Sequence, residues 1–363
     1  MTPKFIQGKI KRRRTKAVKI GNLKIGGDFP ILVQSMTNTD TKDIAKTVKQ
    51  IKELERAGCE IIRVAVPDMA SAKAVRKIKE KIKIPLVADI HFDYKLAIES
   101  ILQGADKIRI NPGNIGNRKK VEEIIKVAIQ KKIPIRIGIN SGSLEKGLLE
   151  KYGEKDTPQA LVESAVKSIR LLEGFRFKDI VVSLKSSDVL TTVRAHELLA
   201  KKTNYPFHLG ITEAGTEKIG TIKSAIGVGS LLLKGIGDTI RVSLSAPPVE
   251  EVKAGWEILK SLKLRGRGLT VISCPTCARA SIPVEKIAKY VESFSGKLEK
   301  PLKIAIMGCI VNGLGEAKYA DLAIVGMGNK KVGIFQKGKF VKNIKPQEIK
   351  NILRNLLFKI FEK

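Results

Sequence analysis

At 363 residues, 43% of them hydrophobic, the chain can build a sizeable core, and its length suits a large domain followed by a small one. Its 68 lysines and arginines against 36 acids leave a formal net charge of +32, which favours anionic substrates and acidic partners, but aromatics at only 5% offer few platforms for stacking bases and speak against nucleic acid as the main ligand. No stretch reaches the roughly 18 apolar residues of a membrane span, and the basic start MTPKFIQGKIKRRRTK has no apolar run behind it, so neither membrane anchor nor secretory signal is expected and the expected location is the cytoplasm.

In chain order, KAVKIGNLKIGG (16–27) alternates apolar and polar residues around Gly21-Asn22 and reads as a β-hairpin. Its position before the first barrel strand makes it the expected plug of the lower face. Eight short β-rich runs follow: ILVQSM, IIRVAV, PLVADI, KIRINP, PIRIGIN, DIVVSLK, PFHLGIT and DTIRVSL. Helical patterns such as TKDIAKTVKQIKELERAG and VEEIIKVAIQKK separate them. Strands alternating with helices imply a parallel sheet, and eight such units predict a (β/α)8 TIM barrel over residues 1–264; an open doubly wound sheet is the competing architecture. After the helix VEEVKAGWEILKSLKL, the RGRG segment breaks the rhythm. Residues 265–363 then read as a small α+β domain: strand LTVISCP, helix PVEKIAKYVESFSGKL, strands KIAIMGC and DLAIVG, the strand pair KKVGIFQKGKFV, and a last helix PQEIKNILRNLLFKIFEK.

Four cysteines in a chain of this size are too few for a disulfide framework. Cys274-Pro-Thr-Cys277 is a C-x-x-C, by itself ambiguous among redox dithiol, zinc and iron–sulfur. Cys309 lies 32 residues beyond Cys277, and both segments follow apolar strands, so their loops can converge at one end of a small sheet. Three thiolates suit a polynuclear iron site or a zinc with three cysteines. All three histidines (His91, His196, His208) fall in the barrel, which leaves Glu316, behind the Gly-rich NGLGE turn, as the attractive fourth ligand. A carboxylate is a hard, displaceable ligand beside three thiolates. Cys59 reads as a packing residue between helix and strand.

Barrel active sites lie at the C-terminal ends of the strands. Five strand candidates carry a cation there: Arg63, Arg109, Arg136, Lys185 and Arg241. By the period of two, Arg109 shares a face with Asn111, Arg136 with Asn140, His208 with Thr212 and Arg241 with Ser243. The comparable acids are Asp89 and Glu213. Two acids cannot neutralise five cations, so an external anion with more than one charge is expected, and arginine forks match phosphate oxygens. The loops NPGNIGN and TEAGTEKIG are expected to add backbone N–H donors.

Together the segments VQSMTNTDTKD, PLVADIHFDYKLA, RINPGNIGN, IPIRIGINSGSLEK, HLGITEAG, KSAIGVGSLL, GDTIRVSLSA, SCPTCAR and MGCIVNGLGEAKYADLAIVG resemble the 4-hydroxy-3-methylbut-2-enyl diphosphate synthase family in its two-domain bacterial form, over nearly the whole chain. The resemblance implies a 4Fe–4S cluster held by Cys274, Cys277, Cys309 and Glu316. It implies the substrate 2-C-methyl-D-erythritol 2,4-cyclodiphosphate, a two-electron reductive ring opening with loss of water, and flavodoxin or ferredoxin as electron donor. On that reading Glu213 delivers the proton, with Asp89, His91 and Thr212 nearby, while the cations of the mouth hold the diphosphate. Competing classes are a non-redox diphosphate- or pterin-binding barrel with a zinc-stabilised appendix, and a basic nucleic-acid-binding protein with a zinc knuckle.

A homodimer with a shared site is also expected. The helix 249–264 covers about 24 Å and returns the chain to the lower face of the barrel. A domain of about 100 residues, with a radius of about 13 Å, is too small to reach around its own barrel. A twofold, head-to-tail pair resolves this, and the family resemblance points the same way.

Overall fold

The computed structural model describes residues 10–153, 157–294, 298 and 300–361. The basic start 1–9, residues 295–297 of the helix expected over PVEKIAKYVESFSGKL, and the last two residues of the expected final helix lie outside the described residues. The chain divides into two compact units, residues 1–265 and 266–363.

The first unit opens with the hairpin β1 (Val18–Ile20) and β2 (Leu23–Ile25). Eight strands follow: β3 (Leu32–Met36), β4 (Ile61–Ala65), β5 (Leu86–Asp89), β6 (Lys107–Ile110), β7 (Ile135–Asn140), β8 (Ile180–Lys185), β9 (His208–Leu209) and β10 (Thr239–Ile240). They pair in parallel in the order β8-β7-β6-β5-β4-β3-β10-β9. A parallel bridge between Val182 and Phe207 joins β8 to β9 and closes the ring. The barrel is therefore the TIM architecture and not an open sheet.

The β9 and β10 ladders are shorter than the runs PFHLGIT and DTIRVSL suggest. Thr212, Arg241 and Ser243 stand beyond the paired residues, on the chain leaving the strands.

Inward and outward residues alternate along each strand. The inward residues Leu32, Ile61, Val87 and Val181 form an apolar floor with Val18, Ile20 and Ile25 of the hairpin, which plugs the lower face. Outward residues pack under the helical layer in the main core, where the single Trp256 is buried and donates its indole N–H to Gly58 O at 3.0 Å. Part of the KRRR run is fixed to the lower rim. Arg12 pairs with Asp238 at 2.8 Å, and Arg13 donates to Tyr205 O at 2.7 Å while lying over the Phe207 ring. These cations serve the fold rather than a polyanion.

Two loops expected to be irregular are helical. NPGNIGN contains the one-turn helix Pro112–Ile115, with Asn111 as its N-cap accepting from Gly113 N at 3.2 Å. That N–H is thus satisfied internally. NGLGE lies in the helix Ile310–Ala317, with Cys309 at its N-cap. Gly313 is helical despite glycine's low propensity, and its missing side chain lets Val325 pack on the helix, since a Cβ would sit 2.3 Å from Val325 Cγ1.

The second unit is a five-stranded sheet, β11 (Leu269–Ser273), β12 (Leu302–Met307), β13 (Leu322–Gly328), β14 (Lys331–Gln336) and β15 (Lys339–Ile344), in that spatial order. The first three strands are parallel and the last two antiparallel. The helices Val284–Glu292 and Ile349–Phe361 bring Ile287, Val291, Leu353 and Leu357 to one apolar core with Ile304, Ile306 and Ile324.

Candidate functional site

Of the pairs that the strand periodicity put on one face, Arg136 with Asn140 and Arg241 with Ser243 meet at the barrel mouth, whereas Arg109 and Thr212 reach it without Asn111 and His208. A cavity of about 80 Å³ is lined by Arg63, Asp89, His91, Arg109, Arg136, Asn140, Ser183, Lys185, Thr212, Arg241 and Ser243. At about 30 Å³ per water, that is room for two or three waters. Ser183 was not singled out by the sequence, because a serine in the apolar run IVVSLK carries no distinctive signal. Glu213 is not in the lining: it is exposed on the loop after β9, in left-handed backbone with φ 51°. Asn111 is buried and turned to its capping role.

Charge is unevenly distributed in this cavity. Asp89, only 4% exposed, accepts from Arg109 Nη1 at 3.2 Å, lies 3.8 Å from Arg63 Nε and contacts His91 Nε2 at 3.3 Å. Burial alone would raise its carboxyl, but Arg63, the His91 hydrogen bond and Arg109 together hold it well below the ordinary value. Arg109 also reaches His91 Nε2 at 2.9 Å and donates to Gly138 O at 3.1 Å. Gly138 makes that possible, since a Cβ there would lie 2.2 Å from Arg109 Nε. Gly210 plays the same part on β9's continuation, where a Cβ would lie 2.9 Å from Lys185 Nζ.

Arg241 has a partner that sequence reading missed. Glu251, buried in the first turn of the helix Pro248–Ser261, accepts from Arg241 Nη2 at 3.3 Å, Ser35 Oγ at 3.1 Å and Leu244 N at 3.0 Å. An acid in a first helical turn is ordinary, so PPVEE gave no hint that one of its glutamates faces inward. Burial and the nearby Arg63 pull Arg241 down to about 10 despite Glu251.

No described carboxylate lies within ion-pair distance of Arg136 or Lys185. Arg136 is 1% exposed, and its Nε and Nη1 have no described hydrogen-bond partner. Burial, then the neighbouring cations, push both Arg136 and Lys185 well below their ordinary values. Five cations against Asp89 and Glu251 form a concave, positively charged, partly desolvated site. It is built for an anion carrying more than one charge.

The other histidines do not join the mouth. His196 packs edge-on against Phe207, and burial pushes it down to about 4. His208 is buried within the barrel, its Nδ1 2.9 Å from Thr239 Oγ1.

In the second unit, Cys274 follows β11 and Cys309 follows β12, neighbouring parallel strands whose ends advance together. The Cys274 Sγ accepts the Gly308 N–H at 3.1 Å, so the two loops already touch through a thiol. Cys274 and Cys309 are half-buried, Cys277 is exposed, and Glu316 is half-buried two turns along the helix that begins at Cys309. All four cysteines are free thiols, and no three His, Cys, Asp or Glu side chains among the described residues stand grouped as metal ligands. The donor set of three soft thiols and one carboxylate nevertheless suits an iron–sulfur cluster. Cys59 is different: its thiol donates to Ile61 O at 3.1 Å and burial pushes it up to about 12, which leaves it inert.

Comparison with known proteins gives this geometry its family. The model of the GcpE TIM-barrel domain matches residues 15–256, and that of the GcpE protein C-terminal domain matches residues 270–359. The chain belongs to the GcpE family. It is 59% identical over 338 residues to the 4-hydroxy-3-methylbut-2-en-1-yl diphosphate synthase (flavodoxin) of Caldanaerobacter subterraneus subsp. tengcongensis, covering 93% of this chain and 95% of that one. It is 56% identical to the protein of the same name from Clostridium perfringens, over 93% and 96% of the two chains. Among solved structures, dihydropteroate synthase from Stenotrophomonas maltophilia with active site-bound imidazole superposes with a TM-score of 0.51 at 11% identity, over 69% of this chain and 97% of that one. That likeness is one of barrel fold. The GcpE match, in contrast, extends through the segments bearing Cys274, Cys277, Cys309 and Glu316.

Proposed function

We infer that the chain is an oxidoreductase of isoprenoid precursor biosynthesis that forms (E)-4-hydroxy-3-methylbut-2-en-1-yl diphosphate, by reductive ring opening and dehydration of 2-C-methyl-D-erythritol 2,4-cyclodiphosphate. The observation that carries this reading is the excess of buried cations at the mouth of a GcpE barrel. Arg136 and Lys185, without carboxylate partners, would take the diphosphate oxygens, and Arg63, Arg109 and Arg241 would complete the binding face. Asn140, Thr212 and Ser243 offer neutral hydrogen bonds to ligand hydroxyls. Asp89 fixes Arg109 and Arg63, with His91 on the same carboxylate at the cavity wall, so this carboxylate orients the binding groups before the ligand arrives. Glu213 remains our candidate proton donor; its exposed position requires the loop after β9 to bring it over the bound ligand.

Cys274, Cys277, Cys309 and Glu316 would hold one 4Fe–4S cluster per chain, with Glu316 as the displaceable ligand. Bound there, the cluster would supply the electrons of the reduction. A flavodoxin is the electron donor named for the relatives, and ferredoxin is the alternative; both are acidic carriers suited to a chain of net charge +32. The reading places the protein in the cytoplasm, and no described helix is long and apolar enough to cross a membrane.

The active unit would be a homodimer in which each cluster domain serves the partner's barrel. The first unit ends at Arg265, whose Nη1 donates to Ile31 O at 2.8 Å and Glu60 Oε2 at 2.7 Å, both at the strand-entry side of the barrel, opposite the mouth. Anaerobic turnover of the cyclic diphosphate with reduced flavodoxin, and separately with reduced ferredoxin, tests the function. Iron- and sulfide-containing protein that releases no linear diphosphate with either donor refutes it.

A further inference from the structure

Beneath the mouth lies a titratable group that neither the family resemblance nor the cavity lining accounts for. Lys107 opens β6 two residues before Arg109, so its side chain also points into the barrel. It is level with Val87 of the apolar floor and one inward position before Arg109. Lys107 is 0% exposed, and its Nζ has no described hydrogen-bond partner. The charged groups that act on it are Arg136 from β7 and Arg63 from β4, and it acts in turn on His208 from β9; the mouth lining adds Asp89 from β5, Arg109 from β6 itself, Lys185 from β8 and Arg241 beyond β10. Asp89, the one acid among them, is already engaged by Arg109, Arg63 and His91.

An ammonium in such a place has lost its water, makes no described hydrogen bond and faces Arg136 and Arg63. Neutralisation is the lowest-cost response. We propose that Lys107 rests as a neutral amine in the substrate-free barrel and becomes an ammonium when a diphosphate fills the mouth, so that ligand binding draws a proton from solvent. Burial, and after it Arg136 and Arg63, hold the amine well below the ordinary lysine value, in line with this. A ligand with two negative charges cancels the repulsion from the cations above. In a low-dielectric interior that change in field is felt strongly at a neighbouring buried group. Lys107 would thus be a positioning residue: it matches the charge of the site to the state of occupancy without touching the ligand.

The inference rests on the mouth being the diphosphate site. The ligand makes a clean probe, because each phosphorus of a cyclic diphosphate carries one ester and one anhydride bond, which leaves a single acidic oxygen and no second ionisation near neutrality. Full-length protein with its cluster oxidised, and no reductant, is titrated calorimetrically with the cyclic diphosphate in Tris and in HEPES at about pH 8, well above the ordinary imidazole value of about 6.5. The wild type is expected to take up protons, read as a dependence of binding enthalpy on buffer ionisation enthalpy. Lys107→Met is expected to bind without that dependence. Ligand-free stability supplies a second readout. A lysine whose folded value is lowered costs stability at pH below its unfolded value of about 10.4, and the cost fades as pH rises toward it. Lys107→Met should therefore raise the thermal midpoint at neutral pH and lose that advantage in alkali. Binding by the wild type with no proton uptake overturns the inference and leaves the diphosphate site standing. Uptake that persists in Lys107→Met, and disappears in Lys185→Met or His208→Gln, overturns it too. Absence of any binding removes the diphosphate site and the inference together. Should Lys107→Met fail to fold, uptake that persists in both Lys185→Met and His208→Gln supports the inference, and uptake lost in either overturns it.

Discussion

Replacing Glu251 by Gln tests the least expected feature of the barrel. The carboxylate is buried and serves three donors: Arg241 at 3.3 Å, Ser35 Oγ at 3.1 Å and Leu244 N at 3.0 Å. Glutamine keeps the shape and one acceptor oxygen, but its amide presents N–H groups to neighbours that are themselves donors. Arg241, half-buried as a residue and with its side chain only 14% exposed, is then left without its carboxylate among other cations. Removing one member of a buried ion pair costs about 3–5 kcal/mol, and the slightly long contacts here argue for the low end, about 3 kcal/mol. For a domain of more than 200 residues, about 2 °C per kcal/mol gives a drop in thermal midpoint of about 6 °C. Differential scanning calorimetry of the substrate-free protein measures it. Because a bound diphosphate would compensate Arg241, saturating ligand should raise the midpoint of Glu251→Gln by more than it raises the wild type. A drop below about 2 °C, with equal ligand-induced increments in both proteins, would refute the reasoning.

Cys274→Ser, Cys277→Ser and Cys309→Ser should each abolish iron loading and turnover, whereas Cys59→Ser should leave both intact; full iron content in any of the first three removes that residue from the ligand set. Glu316→Ala is expected to retain much of the iron yet lose most turnover, and near-wild-type rates would eliminate its role as labile ligand. Arg136→Ala deletes a charge-assisted contact of about 1.5–3 kcal/mol, roughly ten- to a hundredfold in affinity for the cyclic diphosphate, and calorimetry should find that weakening. Mixing inactive Arg136→Ala with inactive Cys309→Ser under subunit exchange should restore activity, because one site of each mixed dimer is wholly wild type; no recovery after proven exchange rules the shared site out.

Much of the fold and part of the site are local patterns, and these were legible in the chain. The eight βα units, the plugging hairpin and the break at RGRG follow from apolar periodicity and turn residues. The period of two also paired Arg136 with Asn140 and Arg241 with Ser243, both of which line the cavity, and the ends of their strands made a mouth the natural place for them. Where the residues failed to announce themselves, the deciding contact was remote in sequence. NGLGE looks like a turn, but it is helical, and the glycine at 313 serves the close approach of Val325 instead. Ser183 gave no sign that it borders the cavity, and Glu213 carried an acid's promise into an exposed loop.

The sequence by itself determined the order of elements, the thiol and carboxylate donors, and the surplus of cations over acids. Only the tertiary structure decided which of those charges meet. Lys107 looks like the solvated first residue of a strand, and Glu251 like a first-turn acid of a surface helix. Closure of the ring at Val182 and Phe207 turns the first into a buried amine, and the packing of the helix Pro248–Ser261 turns the second into the partner of Arg241. The physical reason is one of range. Side-chain alternation is set within a few residues of the chain, whereas burial and electrostatic neighbourhood depend on strands about 100 residues apart being closed around one barrel interior, as those of Lys107 and His208 are.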